Sequence, residues 1–207
     1  MIDVKERPVV LEPYAFSSLL MSAIEIHGRE SMGLLIGHPD RQFIQGRVVE
    51  CLAVRASYPI QSAQRGRSTV GYGNFAARKR LDSTVSAVGF VIVGGFHSHP
   101  NSGTALSTAD KEFIFDEFKE VYSKTGLETW LEIVIGVRRI KRPEKSKFLK
   151  KHYKGKEPNP GFYPWNVTPE IVGDLLTDTG SVFRVELKGY WFRDHEVEET
   201  LLVYSRY

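Results

Sequence analysis

The apolar positions of this chain follow two spacings, one typical of helices and one typical of strands. From Pro13 to Ile24, apolar residues recur every three or four positions, which predicts an amphipathic helix with Pro13 near its start. The same spacing predicts a second helix from Asp110 onward. Runs rich in apolar and β-branched residues predict strands at 9–11, 32–36, 47–55, 87–93 and 128–140. Because strands and helices alternate, the pattern predicts an α/β fold, a sheet flanked by helices.

The remaining segments are less regular. A turn is predicted at His38-Pro39-Asp40, between two of the strands. The stretch from Ser57 to Gly73 is polar and rich in glycine, which predicts a long loop, and loops of this length are often functional. The weaker expectations are short helices at 74–82 and 168–176, the second capped by Thr168, and late strands around 182–185 and 201–204.

Composition places the chain among ordinary soluble globular proteins. It has 207 residues, of which 42% are apolar and 26% charged, enough for one core and one domain over 1–207. The single cysteine, Cys51, excludes an internal disulfide and a cysteine-rich zinc site. We expect a cytoplasmic protein without membrane association, because Met1 to Pro8 does not resemble a secretory leader and no long apolar run occurs.

Charge is balanced overall but uneven along the chain. Lys and Arg number 28 against 25 Asp and Glu, so net charge does not suggest a nucleic-acid partner. The segment from Arg138 to Lys156 is nevertheless strongly basic, with Glu144 as its single acid. Such a run is either a solvated surface, a dock for an acidic protein, or a nucleic-acid contact. We expect nucleic acid to be the least favoured of these partners.

The candidate chemistry lies at the end of the predicted strand at 87–93. His97 and His99 follow it, and side chains two apart on an extended backbone project to the same side. Pro100 lacks an amide hydrogen and ends the strand. Asp110 precedes Phe113 and Ile114 on the inward face of the next helix. Two imidazoles and one carboxylate are a suitable ligand set for a metal such as zinc, with a fourth position for water.

A structural alternative accounts for part of this pattern. Ser107-x-x-Asp110 before an apolar run is also a helix capping box, with Ser107 as the N-cap. A His-x-His pair alone is likewise common without a metal. The full pattern is longer than either: His97-x-His99-Pro100, then Ser107-x-x-Asp110 with seven residues between His99 and Ser107, all after an apolar stretch ending in Gly-Gly. The combination favours a metal site.

In these residues the sequence resembles the JAMM zinc metalloproteases, the catalytically competent members of the MPN family. The segment Glu30-Ser31-Met32-Gly33-Leu34-Leu35-Ile36-Gly37 matches the Glu-x-x-Gly-x-Leu-x-Gly pattern of that family. The resemblance covers roughly 9 to 140. It implies a cytidine-deaminase-like MPN fold with one zinc ion per chain on His97, His99 and Asp110. It also implies that Glu30 shuttles a proton and that Ser107 contacts the developing oxyanion.

The resemblance further implies an activity and its partners. The family includes deubiquitinases of the proteasome lid and of endosomal sorting, so the expected reaction is removal of ubiquitin or a ubiquitin-like modifier from conjugated proteins. It also makes a proteasome-like assembly a possible partner. Insertions are expected near 57–73 and 141–167, and the first would contact the tail of the modifier. Two alternatives stay open: processing of the C-terminus of a sulfur-carrier protein, and a non-catalytic MPN scaffold.

Overall fold

A computed structural model describes residues 7–61, 63–65, 70–72, 75–125, 128–140, 167–176, 182–194 and 196–205. Within these ranges the chain forms three helices, α1 (Pro13–Glu25), α2 (Phe75–Ala87) and α3 (Thr108–Thr125). The strands are β1 (Val9–Leu11), β2 (Met32–Ile44), β3 (Arg47–Pro59), β4 (Ala63–Arg65), β5 (Val70–Tyr72), β6 (Val91–Pro100), β7 (Trp130–Ile140), β8 (Glu170–Leu176), β9 (Val182–Arg193), β10 (Glu196–Thr200) and β11 (Leu202–Tyr204).

Nine of these strands form one mixed sheet that is nearly closed into a barrel. Its order is β10-β9-β7-β6-β2-β3-β1-β11, and β8 also pairs with β9. The two end strands are separated in sequence by Leu201 alone, and Thr168 bridges to Leu202 ahead of β8. Strands β4 and β5 form a separate two-stranded sheet. The mixed α/β class predicted from the sequence is therefore confirmed.

The helices cover opposite faces of the sheet. Alternate residues of β7, including Leu131 and Ile133, belong to the core that also contains α1. The intervening residues, including Trp130 and Val134, pack in a second core with Ile114 of α3. A strand buried on both faces needs apolar residues throughout, and the buried part of β7, from Trp130 to Val137, has them with one exception described below. No helix in the described residues is long and apolar enough to cross a membrane.

The unit β6–α3–β7 positions the candidate site. Strands β6 and β7 are parallel neighbours, with Gly94 beside Leu131 and His99 beside Gly136, and α3 connects them. In open α/β sheets, ligands bind beyond the carboxyl ends of parallel strands. β6 ends at Pro100, as predicted, so its last residues and the first turn of α3 meet at that edge.

The predicted turn at His38-Pro39-Asp40 is wrong, because these residues continue β2. The chain reverses instead at Gln45-Gly46, whose φ angles of 50° and 84° are those of a type I′ hairpin. Proline is accepted in this strand because β6 pairs with β2 only as far as Gly37, which leaves one edge of β2 open at Pro39.

The predicted helix at 168–176 is also wrong, since most of this stretch forms β8. Ile171 and Gly173 are buried whereas Val172 is 44% exposed, which is the two-residue period of a strand. Pairing of β8 with β9 outweighs the local capping signal of Thr168 and Pro169.

Three further boundaries differ from the expected ones. The strand predicted at 87–93 begins only at Val91, because α2 extends to Ala87 and Gly89 turns the chain with a φ of 77°. The predicted loop from Ser57 to Gly73 contains the end of β3 and the hairpin strands β4 and β5. The C-terminal region has β9, β10 and β11 instead of two strands. Residues 141–166, with most of the basic segment, lie outside the described residues.

Candidate metal centre

Two histidines and an aspartate converge where β6 ends and α3 begins. His97 and His99 are both buried, and their Nε2 atoms lie 3.1 Å apart. The carboxylate of Asp110 approaches both, with Oδ1 3.8 Å from Nε2 of His97 and Oδ2 3.5 Å from Nε2 of His99. One ligand atom from each residue lies within 4.8 Å of the others. The predicted convergence of these three side chains is confirmed.

The outer nitrogens of both imidazoles are occupied by hydrogen bonds. Nδ1 of His97 donates to Oε1 of Glu132 at 2.8 Å, and Nδ1 of His99 donates to the carbonyl of Gly103 at 3.0 Å. Because carboxylate and carbonyl oxygens only accept, each Nδ1 carries a hydrogen, and a ring that is neutral then turns its Nε2 lone pair toward the other. Two lone pairs and a carboxylate facing one point repel one another unless a cation lies between them. The donor set therefore suits a metal ion.

The spacing of the ligand atoms is also compatible with zinc. Nitrogen and oxygen ligands lie about 2.0–2.1 Å from zinc, so atoms on neighbouring corners of a tetrahedron are roughly 3.3 Å apart. The two Nε2 atoms are 3.1 Å apart, and the nearest nitrogen–oxygen separations, which run to different oxygens of Asp110, are 3.5 and 3.8 Å. This buried cluster could thus hold a metal ion.

Asp110 has a second role, because the capping box is present as well. The backbone N–H of Ser107 donates to Oδ2 of Asp110 at 2.7 Å, and the N–H of Asp110 donates to Oγ of Ser107 at 3.1 Å. Burial raises the pKa of Asp110, but hydrogen bonds from His99 and Ser107 outweigh it and hold the pKa well below its usual range. The capping and metal interpretations are compatible, since the cap holds the carboxylate ionised and aimed at the histidines.

The electrostatics of His99 point the same way. When Nε2 of His99 takes up a proton, it can donate to Asp110, which raises the pKa of the imidazole more than burial lowers it. A proton and a metal ion compete for the same electron pairs, so the attraction that favours a proton here also favours a cation.

Glu30 lies in the segment immediately before β2 and borders the same cleft. It is buried, and together with His97, Ser107 and Asp110 it lines a cleft of about 130 Å³. Burial raises the pKa of Glu30, while the nearby His97 and His99 partly oppose that shift. Sequence positions separated by up to 80 residues are thus brought into one site, and Ser107 lies at its exposed side.

The long loop predicted at 57–73 is anchored next to this cleft. Ile60 is buried in the core that contains Ile114 and Phe118 of α3, and Ala63 at the start of β4 packs against the same core. Ile114 also lines the cleft. The base of the β4–β5 hairpin is therefore fixed beside the helix that carries Asp110.

Sequence reasoning missed Glu132. It stands in the middle of the apolar run from Trp130 to Val137, where it is only 4% exposed and accepts the hydrogen bond from His97. The signal that could have identified it is an acidic residue inside an otherwise apolar run. A carboxylate in a strand with both faces buried requires hydrogen-bond donors within the core.

Comparison with known proteins adds the fold only. No family model matches the sequence, and no curated protein matches it. Among solved structures, the chain is similar to the solution structure of protein DSY2949 from Desulfitobacterium hafniense, with a TM-score of 0.55 and 16% identity. The similarity covers 96% of this chain and 94% of that one. At this identity the likeness concerns the arrangement of the backbone.

Proposed function

We propose that this chain is a zinc-dependent isopeptidase of the JAMM type, which removes ubiquitin or a ubiquitin-like modifier from conjugated proteins. The observation that carries the proposal is the convergence of His97, His99 and Asp110, two of which line one cleft with the buried Glu30. The spacing of these residues along the sequence supports it independently, since it matches the pattern of the metalloproteases described above.

The proposed reaction needs a metal, an acid–base group and a donor for the oxyanion. Zinc bound at this site would lower the pKa of a coordinated water toward about 7 and polarise the substrate carbonyl. With zinc bound, Glu30 would accept the proton of that water and deliver it to the departing amine. Burial of Glu30 suits this exchange, because a raised carboxyl pKa brings its proton affinity closer to neutral pH.

Ser107 supplies the oxyanion contact in this scheme. Its hydroxyl lies at the side of the cleft and donates to Oδ2 of Asp110 at 2.7 Å. With a cation on the carboxylate, the hydroxyl would be released to donate to a bound carbonyl. A donor of this kind contributes about 3 kcal/mol to transition-state stabilisation.

The walls of the cleft suit an extended, small-residue tail. Met32, Phe96, Phe113 and Trp130 give the cleft an apolar lining, and the glycines Gly33 and Gly95 also line it. A modifier ending in Gly-Gly could place its last carbonyl near the metal without a side-chain clash. The tail could also pair with the edge of the nearby β4–β5 hairpin as an added strand.

The test is incubation of the purified protein with a panel of substrates, with and without a zinc chelator. The panel contains lysine-linked conjugates of ubiquitin-like modifiers and linear fusions of a sulfur-carrier protein. Chelator-sensitive cleavage after Gly-Gly of a conjugate is the expected result. Cleavage of the linear fusions alone would favour the sulfur-carrier alternative, and no cleavage by zinc-loaded protein would favour the scaffold.

A further inference from the structure

Glu132 is a buried acid with both oxygens occupied. It lies on β7, beside β6, the strand that carries His97 and His99, and is 4% exposed. Its Oε1 accepts the hydrogen bond from Nδ1 of His97 at 2.8 Å, and its Oε2 accepts one from the indole Nε1 of Trp130 at 2.9 Å. An unpaired carboxylate at this depth would be strongly destabilising, so these two donors are what stabilise Glu132 in the core.

The backbone of β6 leaves room for this arrangement. Gly95 is the register partner of Glu132, and a Cβ atom at Gly95 would lie 2.8 Å from Oε2 of Glu132 and 3.0 Å from Cζ2 of Trp130. Any larger residue would therefore displace the carboxylate or the indole. Gly95, Trp130 and Glu132 act together to place one carboxylate behind His97.

The two histidines differ in the group that accepts the hydrogen bond from Nδ1. The outer nitrogen of His99 donates to the carbonyl of Gly103, which is neutral, whereas that of His97 donates to a carboxylate. A charged acceptor makes the imidazole a stronger ligand and fixes its tautomer more firmly. A divalent cation bound to the single carboxylate of Asp110 would leave a net charge of +1 at the site. The buried carboxylate of Glu132 neutralises that charge.

We infer that Glu132 is a positioning residue of the metal centre: it holds His97 with Nε2 toward Asp110 and sets the affinity for a divalent cation. Trp130 in turn fixes the orientation of Glu132. This inference rests on the metal centre of the proposed function, but it does not depend on which bond the protein cleaves.

The test compares the zinc affinity of wild-type protein and Glu132→Gln by competition with a chromophoric chelator. The amide of glutamine has one accepting atom, so either His97 or Trp130 must face its NH₂ group. We expect zinc to bind about 10 to 100 times more weakly, the usual effect of losing such a partner.

A second variant separates positioning from general damage. In the Trp130→Phe background the indole no longer competes, so the amide oxygen can turn to His97. Glu132→Gln should then weaken zinc binding by a smaller factor than it does beside Trp130, and this coupling is not expected from loss of packing. Thermal melts of the metal-free proteins show whether each variant is folded. If Glu132→Gln does not fold, Trp130→Phe alone serves as the test, and it should weaken zinc binding.

Glu50→Gln is the matched control. Glu50 lies on β3, is partly buried, and pairs with Arg7 and Arg41. Its register partner Arg41 is nine positions along β2 from Met32, which lies opposite His97. Glu50→Gln should bind zinc as the wild type does. Equal zinc affinity in wild type and Glu132→Gln would overturn the inference and leave the isopeptidase proposal intact. If Glu132→Gln binds zinc more weakly and the zinc-loaded wild type cleaves no conjugate, the inference is supported and the isopeptidase is rejected.

Discussion

The Oγ atoms of Ser31 and Ser98 lie 2.9 Å apart in the interior of the protein. Ser98 stands between the two histidines and points to the opposite face of β6, where it also accepts a hydrogen bond from the backbone N–H of Ser31 at 2.9 Å. The N–H of Ser98 donates to the carbonyl of Ser31 at 2.8 Å. Since Ser31 follows Glu30 directly, these contacts fix the proposed proton shuttle relative to His97 and His99.

Ser98→Ala should therefore slow catalysis without removing zinc. The substitution leaves the buried N–H and hydroxyl of Ser31 without their acceptor, which costs about 1–3 kcal/mol of folding stability. Glu30 gains freedom to move from its position in the cleft, so turnover should fall while zinc content stays near one per chain. Elemental analysis, thermal denaturation and conjugate cleavage measure the three quantities.

The control for this variant is Ser83→Ala. Ser83 is exposed on α2, and its hydroxyl bonds only the carbonyl of Lys79 on the same helix among the contacts described. It should match the wild type in all three measurements. Loss of zinc in Ser98→Ala would show that the serine supports the metal ligands instead of Glu30.

Removal of either ligand type should abolish stoichiometric zinc. His97→Ala takes away one nitrogen, and Asp110→Asn replaces a charged oxygen with a neutral one while preserving an acceptor for the N–H of Ser107. Both should be strongly depleted of zinc by elemental analysis. His38→Ala is the control, because His38 is exposed and distant along β2. Wild-type zinc levels in Asp110→Asn would mean that Asp110 serves only as a helix cap.

These residues also show what the sequence could predict. The two-residue period of a strand was enough to bring His97 and His99 together, and the helix period was enough to bring Asp110 to them, because both depend on local geometry. Glu30 was located only through resemblance to a family motif. Its position beside the histidines depends on the pairing of β2 with β6, in which Met32 lies opposite His97.

The failures arise where tertiary pairing decides. Pro39 can continue β2 because the pairing of β2 with β6 has already ended at Gly37. Thr168 precedes a strand instead of a helix because β9 offers an edge with which β8 pairs. Glu132 was overlooked because its partners, His97 and Trp130, become visible only when β6 and β7 are adjacent. Local propensity cannot supply that information.

Glu30→Gln should separate chemistry from metal binding. Glutamine occupies nearly the same volume and cannot take up a proton, so zinc content and fold should be unchanged. Turnover should fall by at least about a hundredfold, the usual scale for a positioned acid or base. Near-normal steady-state cleavage by this variant would require another group to carry the proton.

Cys51 provides a pH-dependent test of the core. Burial, with a smaller effect of Asp40, raises the pKa of its thiol to about 11 from an ordinary value of 9.0. The folded state thus holds this proton more tightly than the unfolded state, so its stabilising effect is full below pH 9 and is lost as pH rises toward 11. The stability difference between wild type and Cys51→Ala, measured by denaturant titration, should shrink over that window by up to roughly 2–3 kcal/mol. A constant difference would contradict the raised pKa.

The β4–β5 hairpin should matter for folded substrates and little for the fold. Among the described residues its two strands pair only with each other, so an edge remains for a third strand. Replacing 64–72 with a short Gly-Ser linker retains Ile60 and Ala63, which anchor the segment to the core beside α3. Zinc content and melting temperature should therefore remain close to wild type.

Cleavage by the shortened protein should depend on the substrate. A folded modifier conjugate loses the backbone hydrogen bonds that strand addition would give its tail, so kcat/KM should fall at least tenfold, which is about 1.4 kcal/mol of binding energy. A short isopeptide that reaches only the cleft between Glu30 and Asp110 should be cleaved at a nearly unchanged rate, because its contacts do not include the hairpin. If both substrates are cleaved at the wild-type rate, the hairpin takes no part in recognition. If both are lost while zinc is retained, the hairpin orders the cleft itself, since its base belongs to the same core as Ile114, which lines the cleft.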